Sequence, residues 1–113
     1  MDLDFKEAAK LVKEALEDKK AEDIKVLDLI GISNITDYFV IASGNNVNQL
    51  RAMADSVEEK MTKANFKLHH TEGYQGGAWV LLDYGNIIVH LFNKEQREFY
   101  SLERVWGDAK EVK

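Results

Sequence analysis

The chain has no cysteine. Disulfides, thiolate metal centres and cysteine nucleophiles are therefore excluded. It has no proline either, so no proline interrupts any element. No apolar stretch approaches the roughly 20 residues that a membrane-spanning helix requires. No segment is of low complexity, and no internal repeat is present. Basic residues are the minority: 15 Lys and Arg face 20 Asp and Glu, a formal net charge of -5. That balance argues against an extended groove tracking phosphates, and it suits a basic partner. The opening MDLDFKEAAK is acidic and amphipathic, unlike a secretory signal or a transit peptide. The expectation is a complete cytoplasmic protein.

What is present is ordinary for a globular domain. The 113 residues are 45% hydrophobic and 31% charged, enough for one domain over residues 1–113. A chain of this length buries roughly two-thirds of its unfolded surface. A first helix is expected from Asp4, where Asp4 and Glu7 resemble a capping box. Phe5, Ala8, Leu11, Val12, Ala15 and Leu16 supply its apolar stripe. Strands are expected near Asp23–Leu29 and Tyr38–Ser43, with a turn between them. A second helix buries Val47, Leu50, Met53, Ala54, Val57 and Met61 and stops at Asn65. FKLHHT reads as a further strand, EGYQGG as a loop, and Lys94 to Gly107 as one or two helical turns. The order predicts an α/β or α+β fold, a mixed sheet of about five strands with flanking helices.

The segment WVLLDYGNIIVHLF, residues 79–92, predicts a β-hairpin turning at Gly85-Asn86. Strand alternation then puts Val80, Leu82, Tyr84, Ile87, Val89 and Leu91 on one apolar face. Trp79, Leu81, Asp83, Ile88, His90 and Phe92 fall on the other. This second, mixed face combines large aromatics with an acid and an imidazole. Asp83 and His90 are diagonal neighbours, close enough for contact. No serine is placed beside them for a triad, so a histidine held by a carboxylate is the simpler reading. His69 and His70 would point to opposite faces of a strand and cannot share an ion. Gly73, Gly76 and Gly77 precede a strand, so they form neither a P-loop nor a dinucleotide turn. Gly44 sits before a helix start, where an anion can bind, although a lone glycine there is more often a plain turn. No strand presents the paired acids of two-metal chemistry; Asp28 and Asp37 stand apart. No catalytic, cofactor or metal site is expected. Trp79, Phe92, Tyr100 and Trp106 read equally well as a small second core and as interface anchors.

TDYFVIASG at 36–44, WVLLDYGNIIVHLF at 79–92 and REFYSLERVWGDA at 97–109 resemble the ribosomal silencing factor family, also called Iojap-like. The resemblance runs from the first helix to Trp106. It implies a fold related to nucleotidyltransferases but lacking their catalytic acids. It also implies a non-enzymatic protein that binds the large ribosomal subunit through large-subunit protein fourteen. Bound there, such a protein blocks subunit joining and represses translation when nutrients are scarce. A homodimer when free, no membrane and no sequence-specific nucleic acid complete that expectation. Residues matching the signature include Asp37, Tyr38, Gly44, Leu82 and Gly85. The partner-binding set is Trp79, Asp83, His90, Phe92, Arg97, Tyr100, Leu102 and Trp106. Asn86 stands where the family usually has aspartate, and GNNVNQ replaces a turn richer in Ser and Thr.

Overall fold

Asp4 begins the first helix as its sequence predicts: its Oδ1 accepts the Glu7 N–H at 2.8 Å, and α1 spans Phe5–Asp18. The computed structural model describes residues 4–95, 97, 107 and 109–112. Strands β1 (Glu22–Asp28) and β2 (Tyr38–Gly44) follow, then α2 (Val47–Lys63). Strands β3 (His70–Glu72), β4 (Trp79–Asp83), β5 (Ile87–Asn93) and β6 (Lys110–Glu111) complete the described elements.

The six strands lie in the order β3-β4-β5-β2-β1-β6. Among the described strands only the β2–β5 pair is parallel; the other four pairings are antiparallel. After β2 the chain passes through α2, enters the sheet at its β3 edge and returns through the hairpin to lie beside β2. This is the mixed sheet expected, with one strand more. Strand β6 was not legible because it has two residues, held by pairing with Leu27 and Asp28 rather than by a pattern of its own.

Strand β3 is shorter than FKLHHT suggested. Asn65 takes a left-handed φ of 68°, and the Phe66 N–H turns back to the Met61 carbonyl. These contacts close the end of α2, so Phe66 and Leu68 pack against the core from a loop. Only at His69, whose N–H donates to the Asp83 carbonyl, does the chain meet β4.

Both helices cover one face of the sheet. Ala8, Val12, Ala15 and Leu16 of α1 and Leu50, Met53, Val57 and Met61 of α2 pack on Val40, Ala42, Leu82, Val89 and Leu91. Burying each large aliphatic side chain is worth about 1.5–3 kcal/mol. The Ser56 hydroxyl donates to the Ala15 carbonyl and ties the helices together. Two members of the expected stripes are exposed, Phe5 and Val47, each at its helix N-terminus. Gly44 is a packing residue: a Cβ there would lie 3.0 Å from the Leu50 side chain. It lets α2 approach β2 closely.

Candidate functional site: the second face of the sheet

The hairpin has the predicted register. Trp79 faces Phe92, Leu81 faces His90 and Asp83 faces Ile88. Gly85, at φ 85°, supplies the left-handed residue of the turn. Val80, Leu82, Tyr84, Ile87, Val89 and Leu91 all enter the helix-covered core.

The mixed face is the floor of a second cluster. Phe92 packs with Leu27, Leu29, Phe39 and Ile41, while Trp79, Ile88 and Ala109 flank them. The Trp79 and Phe92 rings stack with centroids 5.0 Å apart. His90 sits in the same group, edge-on to Phe39 at 4.7 Å and parallel to Phe92 at 6.1 Å. Such ring pairs add about 0.5–1.5 kcal/mol beyond their buried area.

The Asp83–His90 pairing does not form. Asp83 Oδ1 instead accepts the Gly85 N–H at 2.7 Å, bracing the hairpin turn. His90 has two diagonal neighbours on β4, and it bonds the other one. The Trp79 indole Nε1–H donates to His90 Nδ1 at 3.1 Å. That contact fixes the tautomer, because an Nδ1 that accepts carries no proton, so the neutral ring holds its hydrogen on Nε2. Nε2 is buried and has no hydrogen-bond partner among the described residues. Burial alone pushes the imidazole down to about 4. A proton arriving on Nδ1 would also oppose the indole donor. His90 is therefore a neutral ring held by a tryptophan, unsuited to acid-base work near neutral pH.

The expected partner-binding residues lie at different depths. Trp79 and Asp83 are half-buried, whereas His90, Phe92 and Arg97 are buried. Phe92 is therefore an internal support, since its side chain is fully enclosed. Arg97 turns inward, its guanidinium donating to the Ser43 hydroxyl at 3.0 Å. Nearby, Lys94 pairs with Glu22 at 2.7 Å. Tyr100, Leu102 and Trp106 lie outside the described residues, as does most of the stretch expected to form helical turns after Lys94.

The start of α2 is already occupied by its own side chains. Asn46 Oδ1 accepts the Gln49 N–H, and Gln49 Oε1 accepts the Asn45 N–H. The Gln49 amide in turn donates to the Lys19 and Lys20 carbonyls. Those donors are not held open for an anion. Among the described residues no three His, Asp or Glu side chains gather to hold a metal. No helix there is long and apolar enough to cross a membrane.

One grouping escaped the sequence. Asp28 and Asp37, which bracket the β1–β2 loop, act with Asp4 on the Tyr38 hydroxyl, which burial first and then these carboxylates push up. The fold brings them together through the β1–β2 pairing, in which Asp28 faces Tyr38.

These features define a class: a small mixed α/β domain with a second, aromatic cluster on the sheet face opposite its helices, and no assembled catalytic group among the described residues. Comparison with known proteins narrows the class. Residues 2–113 match the family described as Ribosomal silencing factor during starvation. The ribosomal silencing factor RsfS of Bacillus subtilis is 40% identical over 104 residues, covering 92% of this chain and 88% of the relative. The RsfS of Zymomonas mobilis is 46% identical, covering 87% of this chain and 74% of the relative. A crystal structure of a Chromobacterium violaceum protein, 35% identical, superposes with a TM-score of 0.90 over 93% of this chain and 88% of that one. The chain belongs to the ribosomal silencing factor family.

Proposed function

We propose that this protein is a translational repressor that docks on the large ribosomal subunit and blocks its joining to the small one. Family membership over nearly the whole chain carries the reading. Large-subunit protein fourteen is the proposed receptor, and the block is steric, because two bodies cannot share the subunit interface. An acidic protein with an aromatic docking face suits a basic ribosomal protein better than bare RNA. Trp79 and Asp83 present that face, while His90, Phe92 and Arg97 hold it in shape; Tyr100, Leu102 and Trp106 belong to the proposed partner-binding set on their match to the family signature. The protein acts in the cytoplasm without catalysis, and in isolation it forms a two-fold dimer, which light scattering at high micromolar concentration would detect as twice the monomer mass.

The deciding experiment adds purified protein to isolated subunits and follows them through a gradient. Material should move from the joined peak to separate subunits. Unchanged joining at saturating protein would sink the proposal.

A second reading is an assembly role. A mouse relative, 34% identical over 80% of this chain and 41% of its own length, is named Mitochondrial assembly of ribosomal large subunit protein 1. An assembly factor would co-sediment with precursor particles and leave mature subunits free to join.

A further inference from the structure

The loop between β1 and β2, residues 29–37, carries three exposed isoleucines. Ile30, Ile32 and Ile35 are 59%, 45% and 80% exposed. Single exposed apolar residues need no explanation. Three on one tightly bonded loop do.

The loop is tied at every turn. The Ile30 N–H donates to Asp28 Oδ1, and the Ile35 N–H to the Ser33 hydroxyl. The N–H groups of Ile32 and Ser33 both donate to the Leu29 carbonyl, and the Leu29 N–H closes the loop on the Asp37 carbonyl. Its far end is fastened to the hairpin turn. The Asp37 and Tyr38 N–H groups donate to the Asn86 carbonyl, and the Asn86 amide donates to the Asp37 carboxylate. Apolar side chains ordered but left in water contribute little to folding. Ordered in advance, they lower the entropy cost of association. A shallow hollow of about 250 Å³ beside them is lined by Asp28, Ile30, Ile32 and Lys110.

Charge selects the occupant. Asp28 lines the hollow and faces Tyr38 across the β1–β2 pair, and the Asp37 carboxylate stands at the loop's far end, on Asn86. Lys110, opposite Asp28 across the β1–β6 pair, offsets one of them. A phosphate backbone would be repelled. A second copy of the chain, docked symmetrically, would set the same acids against each other. A protein surface with lysines or arginines around an apolar hollow is attracted instead.

We infer that the β1–β2 loop is a docking tip that inserts Ile30, Ile32 and Ile35 into a base-rimmed apolar hollow on a protein of the large ribosomal subunit. The inference rests on the ribosome-docking reading above and adds a contact site outside the aromatic face.

The test compares the parent with an Ile30→Ser, Ile32→Ser, Ile35→Ser triple variant and with Asp28→Asn, which keeps an acceptor for the Ile30 N–H. Melting, self-association and affinity for isolated large subunits are measured on each. The triple variant should melt like the parent and bind at least about tenfold more weakly. Asp28→Asn should bind severalfold more weakly at low salt, with the gap closing as salt rises. If the triple variant fails to fold, Ile35→Ser alone, at the most exposed position, gives the same comparison. Parental affinity in the loop variants would overturn the inference and leave the ribosome-docking reading standing. Loss of a dimer with unchanged subunit binding would overturn it in favour of a second copy. Failure of the parent itself to bind large subunits would sink both.

Discussion

Leu91 and Phe92 are consecutive residues of β5, both fully buried, on opposite faces of the sheet. Leu91 lies among aliphatic side chains supplied by two helices. Phe92 lies in a smaller cluster with Leu27, Leu29, Phe39 and Ile41, beside a stacked tryptophan and a neutral histidine. The helix-covered face relies on volume and periodicity. The other face relies on direction, with ring stacking, an indole donor and a histidine tautomer that each fit one arrangement. Adjacent residues of one strand can thus serve a generic core and a specified surface, because a strand turns alternate side chains to opposite sides.

The strongest way to test that contrast is to truncate both residues. Leu91→Ala should cost about 2–5 kcal/mol and Phe92→Ala about 3–5 kcal/mol of folding stability, measured by denaturant titration. Comparable losses would establish the second cluster as a true core. A loss below about 1 kcal/mol at Phe92 would mean that its face is only loosely packed.

Acid should separate the faces next. His90 binds a proton near pH 6.5 when unfolded, but only near 4 when folded. Above 6.5 both states are neutral and the stability is fully present. As pH falls from 6.5 to 4 the unfolded chain takes up a proton that the folded chain refuses, so stability drops. At 1.36 kcal/mol per pH unit the loss is about 3 kcal/mol. His90→Gln keeps an acceptor for the indole and does not titrate. Its stability should fall less over the same window, and parallel curves for parent and variant would contradict the buried neutral ring.

Binding sharpens the contrast further. Trp79→Ala should weaken large-subunit affinity by about 2 kcal/mol, roughly thirtyfold, if the half-buried indole is a docking anchor. Trp79→Phe keeps a ring and loses the donor to His90. Equal binding by both variants and the parent would place the interface elsewhere.

The smallest effect concerns the turn that joins the two strands. Asn86→Asp replaces the amide donating to Asp37 with a second carboxylate. Stability should fall by about 0.5 kcal/mol or less, and added salt should narrow the difference. An unchanged melting temperature at low salt would show that this surface contact contributes nothing.

By itself the sequence determined whatever depends on local pattern. The Asp4 cap, both amphipathic helices, the left-handed Asn65 and the hairpin register down to Trp79 opposite Phe92 follow from periodicity and turn chemistry. So do the two faces of the hairpin, since alternation along a strand is fixed by geometry. The tertiary structure alone decided how neighbours compete for partners. That His90 bonds Trp79 and not Asp83 depends on how the two diagonal side chains turn, the Asp83 carboxylate being directed back to the Gly85 N–H. That Arg97 reaches Ser43, that Lys110–Glu111 adds a sixth strand and that Asp4 acts on Tyr38 all depend on residues distant in sequence. Non-local pairings of this kind carry no periodicity. They exist only once the closed fold has supplied the distances.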